Sequence, residues 1–482
     1  MSEVCCFIGG KNRRGRGAVA VRVGSALAVA AAFLLPAPAT HAQTFSALLD
    51  RAVGGDPTYL GVRTGVDVAY AKKRQAVGGL LPQVNGTANT NSNDRDYQTR
   101  ASNQPSGKDR YNSNAYQVSL TQPLWRYANI VSLQQSWAIV EQASHQLAGA
   151  EMDLFVRLLN AWVELLAARD QGLFAVQQMN AAERNLETVR RGESLGTHSA
   201  PQLEEALAKR DQAVADALTA ETDLQLKVAA LELIVGPLRG FVTPFMRDDA
   251  KLSEMGLEKL ELWLERAETN NPNMMAAAKA LEAASDEVRK QSAGHQPTLD
   301  LVANYGKNSQ QVGGFPGQAG YDIKTGSVGL QLNLPIFSGG TQSAKVDEAI
   351  AQQEKARQDL EAARRNALLA TKQAWFTGQS ARMRVHAATQ GLKAAESILD
   401  VARRGIEKGL KTELDLMLAE QQWRAAVRDF RKARYELLLS NVRLKAAVGE
   451  LTHADIAALD ALFANREEPV SLRSAPKEEK AS

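Results

Sequence analysis

Side chains equipped for chemistry are thinly spread in this chain of 482 residues. There are six histidines, His41, His145, His198, His295, His386 and His453, and no pair of them has the spacing of zinc ligands. No glycine-rich loop of the kind that cradles phosphate is present. The only cysteines are Cys5 and Cys6, so beyond position 6 there is no disulfide, thiolate metal site or cysteine nucleophile. An enzyme is not expected, and no cofactor is implied. His198 stands in a glycine-marked break, where it reads as a solvated turn residue with pH sensitivity as the alternative. Trp137, Trp162, Trp375 and Trp423 fall at helical positions and read as packing residues. The formal net charge is +3, much of it from the first 22 residues. Nucleic acid is not an expected partner, because a binder concentrates its Lys and Arg on one face.

With catalysis set aside, the architecture carries the information. Lys11, Arg13, Arg14, Arg16 and Arg22 precede an apolar run from Val23 to Leu35, which Pro36 and Pro38 interrupt before Thr40-His41-Ala42. That order predicts a secretory signal over residues 1–42, with an N-terminal membrane anchor as the weaker alternative because the run is short. No later stretch approaches the roughly 20 apolar residues of a membrane helix.

The rest reads as an internal duplication. Leu49-Asp50-Arg51-Ala52 followed by Asp56-Pro57 returns as Leu264-Glu265-Arg266-Ala267 followed by Asn271-Pro272. Pro82 returns as Pro297, Pro123 as Pro335, and Leu231 and Gly236 as Leu444 and Gly449. Arg190-Arg191-Gly192 and Gly196 return as Arg403-Arg404-Gly405 and Gly409. Landmarks that keep register over such a span define a repeat. The expected copies are residues 43–236 and 260–449, joined by a linker over 237–259. Residues 450–482 form a remainder ending in a charged tail, expected to be disordered.

Each copy carries two strand-like segments. The segment 322–337 alternates strictly, with Val328, Leu330, Leu332, Leu334 and Ile336 opposite Ser327, Gly329, Gln331 and Asn333. Residues 297–309 and 111–124 repeat the pattern, and 83–97 is the most polar of the four. Apolar-out, polar-in strands of this length suit an outer-membrane barrel. A small soluble sheet covering a helical core is the alternative. Four strands cannot close, and an open edge in lipid leaves backbone groups unpaired, so the barrel must be shared between chains. Eight strands from two chains would be filled by side chains, whereas twelve from three would leave an aqueous lumen.

Each copy also carries one very long helix, over about 127–191 and 341–404. At 1.5 Å per residue each is roughly 100 Å long, far beyond the usual helix. Leu133, Val140, Leu147, Leu154, Ala161 and Ala168 lie seven apart, as do Ala349, Ala356, Ala363 and Ala370, so supercoiled packing is expected. The alanines allow close approach, as a hollow wall of helices requires. Gly192, Gly196, Gly405 and Gly409 mark breaks after which return helices begin. Trp125 and Phe337, at the strand ends, are candidates for the membrane interface.

In the order of these parts the chain resembles the TolC family of outer-membrane factors, and most closely its type I secretion branch. The carriers are the signal, the duplication, Gly79-Leu80-Leu81-Pro82-Gln83-Val84, the run Leu334 to Gly340, and the Arg-x-Gly-x-x-x-Gly breaks at Arg190 and Arg403. The resemblance implies a mixed α and β membrane protein. It would be a homotrimer with a shared twelve-stranded β-barrel in outer-membrane lipid and a periplasmic α-helical barrel. Its function would be that of an exit duct. The periplasmic end would be opened by an adaptor and an inner-membrane transporter, ABC-type or proton-driven. It also implies an aspartate ring near the second break. Alignment on Gly409 places that carboxylate at Asp415 and a basic gate residue at Lys411, with Glu413 nearby. A second family aspartate falls on Leu418, a departure. Three Asp415 carboxylates would favour cations in a narrow pore. As a residue of a first helical turn, Asp415 has an equally good reading as a solvated carboxylate at a helix N-terminus.

Two other readings stand beside this one. A periplasmic coiled-coil adaptor without a barrel would explain the helices but not the duplicated alternating strands. A duct for small toxic molecules, driven by a proton pump, would share every feature above.

Overall fold

The computed structural model describes residues 44–98, 106–238, 244–247, 258–313 and 318–464. The expected signal, most of the expected linker and the charged tail lie outside the described residues.

The same order of elements occurs twice. The first series is α1 (Phe45–Gly55), α2 (Pro57–Gly78), β1 (Gln83–Tyr97), β2 (Gly107–Trp125), α3 (Tyr127–Ser194) and α4 (Ala200–Val235). A short strand, β3 (Phe245–Met246), follows. The second series is α5 (Leu260–Asn270), α6 (Pro272–Ser292), β4 (Thr298–Val312), β5 (Ala319–Asn333), α7 (Thr341–Glu407) and α8 (Glu413–Ala447). Then come α9 (His453–Ala461) and β6 (Phe463–Ala464), which pairs with β3.

The motif shared by the two series has a local reason. Asp56 and Asn271 are N-caps. Asp56 accepts the Tyr59 N–H at 2.9 Å and Asn271 the Met274 N–H at 3.0 Å, each with proline in the first helical position. Their second partners differ. Asp56 receives the Arg157 guanidinium at 2.8 Å, whereas the Asn271 amide donates to the Ala447 carbonyl at 2.8 Å.

The four long strands form one antiparallel sheet in the order β1-β2-β4-β5. Two expected boundaries need correction. The last strand was expected to reach 337 but ends at Asn333, because Pro335 has no N–H to give the ladder. Leu334, Ile336 and Phe337 therefore lie beyond it. β2 starts at Gly107, earlier than the expected 111, and carries a register irregularity between Pro123 and Trp125.

The helices also form rows. Beneath the sheet the neighbours run α2-α3-α6-α7, and further along they run α4-α3-α8-α7. α3 holds 68 residues and α7 holds 67. Of the expected seven-residue repeat on α3, Val140, Leu154 and Ala168 are buried. On α7, Ala349 is buried but Ala370 is exposed. The largest core lies midway along α3, where Leu154, Leu158, Trp162 and Leu166 meet Phe45 of α1, Leu231 of α4 and Leu438 of α8. Among the described residues no helix is long and apolar enough to cross a membrane.

Candidate functional site: the helical hairpin tips

Both long helices end in the same turn. In the first, the Gly192 carbonyl accepts the N–H groups of Thr197 at 2.8 Å and His198 at 3.2 Å. In the second, the Gly405 carbonyl accepts those of Leu410 at 2.8 Å and Lys411 at 3.2 Å. Gly196 (φ 75°) and Gly409 (φ 68°) supply the left-handed residue that such a helix end requires. Gly192 and Gly405, expected as breaks, instead lie inside the last helical turn. They are small for another reason: a Cβ on Gly192 would strike the His198 ring, and one on Gly405 the Lys411 side chain.

The return helices are capped alike. The Ser199 N–H donates to the Gln202 side chain at 2.8 Å. The Thr412 N–H and hydroxyl both donate to the Asp415 carboxylate at 2.9 Å, while Asp415 N–H returns a bond to the Thr412 hydroxyl. These bonds from Thr412, with the charge of Lys411 added, hold the Asp415 carboxyl below the usual carboxylate range.

Lys411, Asp415 and Leu418 come together along one groove between α7 and α8, walled by Ile398 and Val401. Glu413 is not with them. It borders a different groove, shared with the first hairpin, among Arg184, His198, Lys209 and Arg424. Leu410 and Leu414 are exposed at the same tip. Trp125 and Phe337 lie at the helix end of the sheet, 50% and 88% exposed. Among the described residues no cluster suited to a metal ion occurs.

One polar cluster escaped sequence reasoning. Asp170, buried on α3, accepts from Arg169 at 2.8 Å and from the Tyr435 hydroxyl at 3.0 Å. Burial and the adjacent Asp170 charge push the Tyr435 phenol up. Arg169 also donates to the Pro244 carbonyl and lies over the Phe245 ring, tying the β3 segment to α3 and α8. Nothing but the adjacency of Arg169 and Asp170 hints at this in the sequence. At the sheet–helix junction, Arg126 makes a two-pronged pair with Asp300 of β4 at 2.8 and 2.7 Å.

An antiparallel sheet with one apolar face, set on two rows of very long helices that end in glycine-turned tips, defines an outer-membrane channel protein. The sequence matches the family described as "Outer membrane efflux protein" over residues 48–237 and 263–450, and the chain belongs to that family. It is 28% identical to the outer membrane protein TolC of Vibrio cholerae, over 89% of this chain and 96% of that one. It is 27% identical to the proteases secretion protein PrtF of Dickeya chrysanthemi, over 80% of this chain and 83% of that one. Its fold is similar to the crystal structure of the CmeC outer membrane channel of Campylobacter jejuni, with TM-score 0.68 and 16% identity, covering 87% and 90% of the two chains.

Proposed function

We propose that three copies of this chain close into a single exit duct through the outer membrane and the periplasm, gated at the hairpin tips. The observation that carries this is the state of the edges. The sheet ends in β1 and β5, the upper helix row in α2 and α7, and the lower row in α4 and α7. A ring closes all three layers with one symmetry operation. On α7, Leu369, Phe376 and Met383 lie seven apart and are exposed in the single chain. An apolar seven-residue stripe of this kind fits a further helix, and Leu226 and Leu233 of α4, also seven apart and exposed, supply one from the next copy. Three copies bring twelve strands, which leaves room for an aqueous lumen.

Residues 1–42 act as an export signal, 43–236 and 260–449 as two copies of one ancestral unit, and 237–259 with 450–482 as the girdle and tail. An adaptor and an inner-membrane transporter engage the tips and widen them, so that opening is a rearrangement of helices. Three Asp415 carboxylates ring the constriction, with Lys411 beside them and Trp125 and Phe337 at the membrane boundary. Similarity to the protease secretion protein supports secreted protein as cargo, through a type I system; the family's description keeps small-molecule efflux as the second reading.

The test is planar-bilayer conductance of detergent-purified protein. Wild type should give small, cation-selective currents blocked by multivalent cations. Asp415→Gln should give larger, less selective ones. Unchanged selectivity would remove Asp415 from the gate, and a water-soluble monomer would end the duct reading.

A further inference from the structure

The apolar face of the sheet carries a shallow groove beneath two lysines. Strand register sets its rows. Tyr116, Lys307 and Lys324 lie side by side across β2, β4 and β5. Directly beneath them lie Val118, Tyr305 and Gly326, and beneath those Leu120, Ala303 and Val328. All share the apolar face by the period of two.

The two lower rows border an open groove of about 370 Å³ whose apolar lining is Val118, Leu120, Ala303, Tyr305 and Val328, with Gly326, Asn304 and Ser327 completing it. It exists because β5 offers no side chain at Gly326 and β4 only a methyl at Ala303. The mouth of the groove carries the two lysines. Like charges directly opposite on neighbouring strands destabilise a sheet. Lys307 is 2.9 Å from the Asp322 carboxylate, which also accepts from the Ser309 hydroxyl. Among the described residues Lys324 makes no ion-pair contact of its own, although its charge also acts on Asp322. The cluster of Lys307, Lys324 and Asp322 is left with one net positive charge.

Depth decides what this charge meets. The helices leave the sheet from the other end, so the lysines lie toward the outer loops. Leu299, in the lowest apolar row, is eight residues before Lys307, about 27 Å along a strand and about 20 Å of membrane depth at the usual tilt. The backbone of the lysine row therefore stands about 5 Å below the top of an apolar band about 25 Å tall, from which lysine stems reach the outer headgroups, and the groove beneath it lies among the acyl chains.

We infer that this groove and the Lys307–Lys324 pair bind one lipid of the outer leaflet whose headgroup carries phosphate. An acyl chain fills the groove and the two ammonium groups take the phosphate oxygens. The site rests on the membrane-embedded sheet and not on the gate at the far end, so it stands or falls apart from Asp415.

The experiment uses the full chain purified in detergent, with lipid binding counted by native mass spectrometry and checked by melting temperature. The probes are a phosphorylated acyl glycolipid (lipid A), its dephosphorylated form, and inorganic phosphate. The phosphorylated lipid should bind wild type about tenfold or more tightly than the dephosphorylated form, since two charge-assisted hydrogen bonds are at stake. Inorganic phosphate should not compete at equal concentration. Lys307→Gln with Lys324→Gln should remove the preference. Gly326→Val should weaken binding by filling the groove while leaving both lysines. Its added Cβ meets only an ordinary contact, with the Tyr305 ring at 3.6 Å, so the barrel should keep or raise its melting temperature. Equal binding of both lipid forms, or intact binding in Gly326→Val, overturns the proposal. Competition by inorganic phosphate makes the site one for a free anion and overturns it equally. If the double lysine variant does not assemble, the Gly326→Val and dephosphorylated-lipid arms decide alone.

Discussion

The two hairpin tips share a backbone and differ in charge. Position by position, Gly192 answers to Gly405, Gly196 to Gly409, His198 to Lys411, Ser199 to Thr412 and Gln202 to Asp415. Each carbonyl bond and each cap recurs. What changed is that the first tip closes its cap with an amide and the second with a carboxylate. Asp56 and Asn271 repeat the lesson at the start of the helix rows, with the same cap, a charged partner for one and a carbonyl for the other. Hydrogen-bond geometry constrains the turn, and either an amide or a carboxylate oxygen meets it. Charge at these positions is therefore free to serve something else.

Swapping residues between the copies breaks the comparison most sharply where the second partner is specific. Asn271→Asp removes the donor to Ala447 and sets a buried carboxylate against its carbonyl, so a loss of about 3 kcal/mol is expected in denaturant unfolding. Next comes Gly192→Ala, whose methyl meets the His198 ring. Overpacking of about 2 kcal/mol should show as faster amide exchange at the first tip. Gly405→Ala at the second tip should cost less, about 1 kcal/mol, because side-chain rotation carries the Lys411 Cγ clear and leaves only its Cβ, 3.0 Å away, to give slightly. Equal effects at the two tips would refute this account of the two glycines.

Asp56→Asn should cost about 1–2 kcal/mol, by leaving Arg157 with only the exposed Asp153 carboxylate at 2.7 Å. Burial works to raise the Asp56 pKa, but bonds from Arg157 and Tyr59 outweigh it and leave the group below its ordinary 3.8. Its stabilisation is therefore complete above the unfolded value and is lost as pH falls through the folded one. The difference between Asp56→Asn and wild type should hold at neutral pH and close below about pH 4. A gap that persists at lower pH would rule the carboxylate out. Smallest in stability is Asp415→Gln, which copies the first tip. Amide exchange there should stay within about twofold of wild type, since one capping acceptor replaces another. Its large effect is reserved for ion selectivity, and Gln202→Asp should strengthen the cation preference in return.

Much of the fold was legible because it is periodic. The alternation from Val328 to Leu332 marks a strand, and the spacing of Val140, Leu154 and Ala168 marks a packed helix, before any contact is known. The polar β1 showed less, since its positions beside Leu120, Val118 and Tyr116 on the apolar face hold only Val84, Gly86 and Ala88. The end of β5 was misjudged because alternation continued through Leu334 and Ile336 while Pro335 had already removed the ladder donor. At the tips the glycine spacing exposed the turn, but Gly192 and Gly405 read as breaks until their neighbours His198 and Lys411 were in place.

Local physics, written in spacing and in turn residues, thus determined the elements, their duplication and a four-stranded sheet with open edges. Tertiary structure alone decided that Asp415 and Lys411 share a groove from which Glu413 is turned away. It also decided that Asp170 meets Tyr435, 265 residues further on, and that Lys307 and Lys324 stand over an apolar groove. Such meetings depend on strand register and on helix rotation. Both are settled by packing summed over whole faces, which no short stretch of sequence contains.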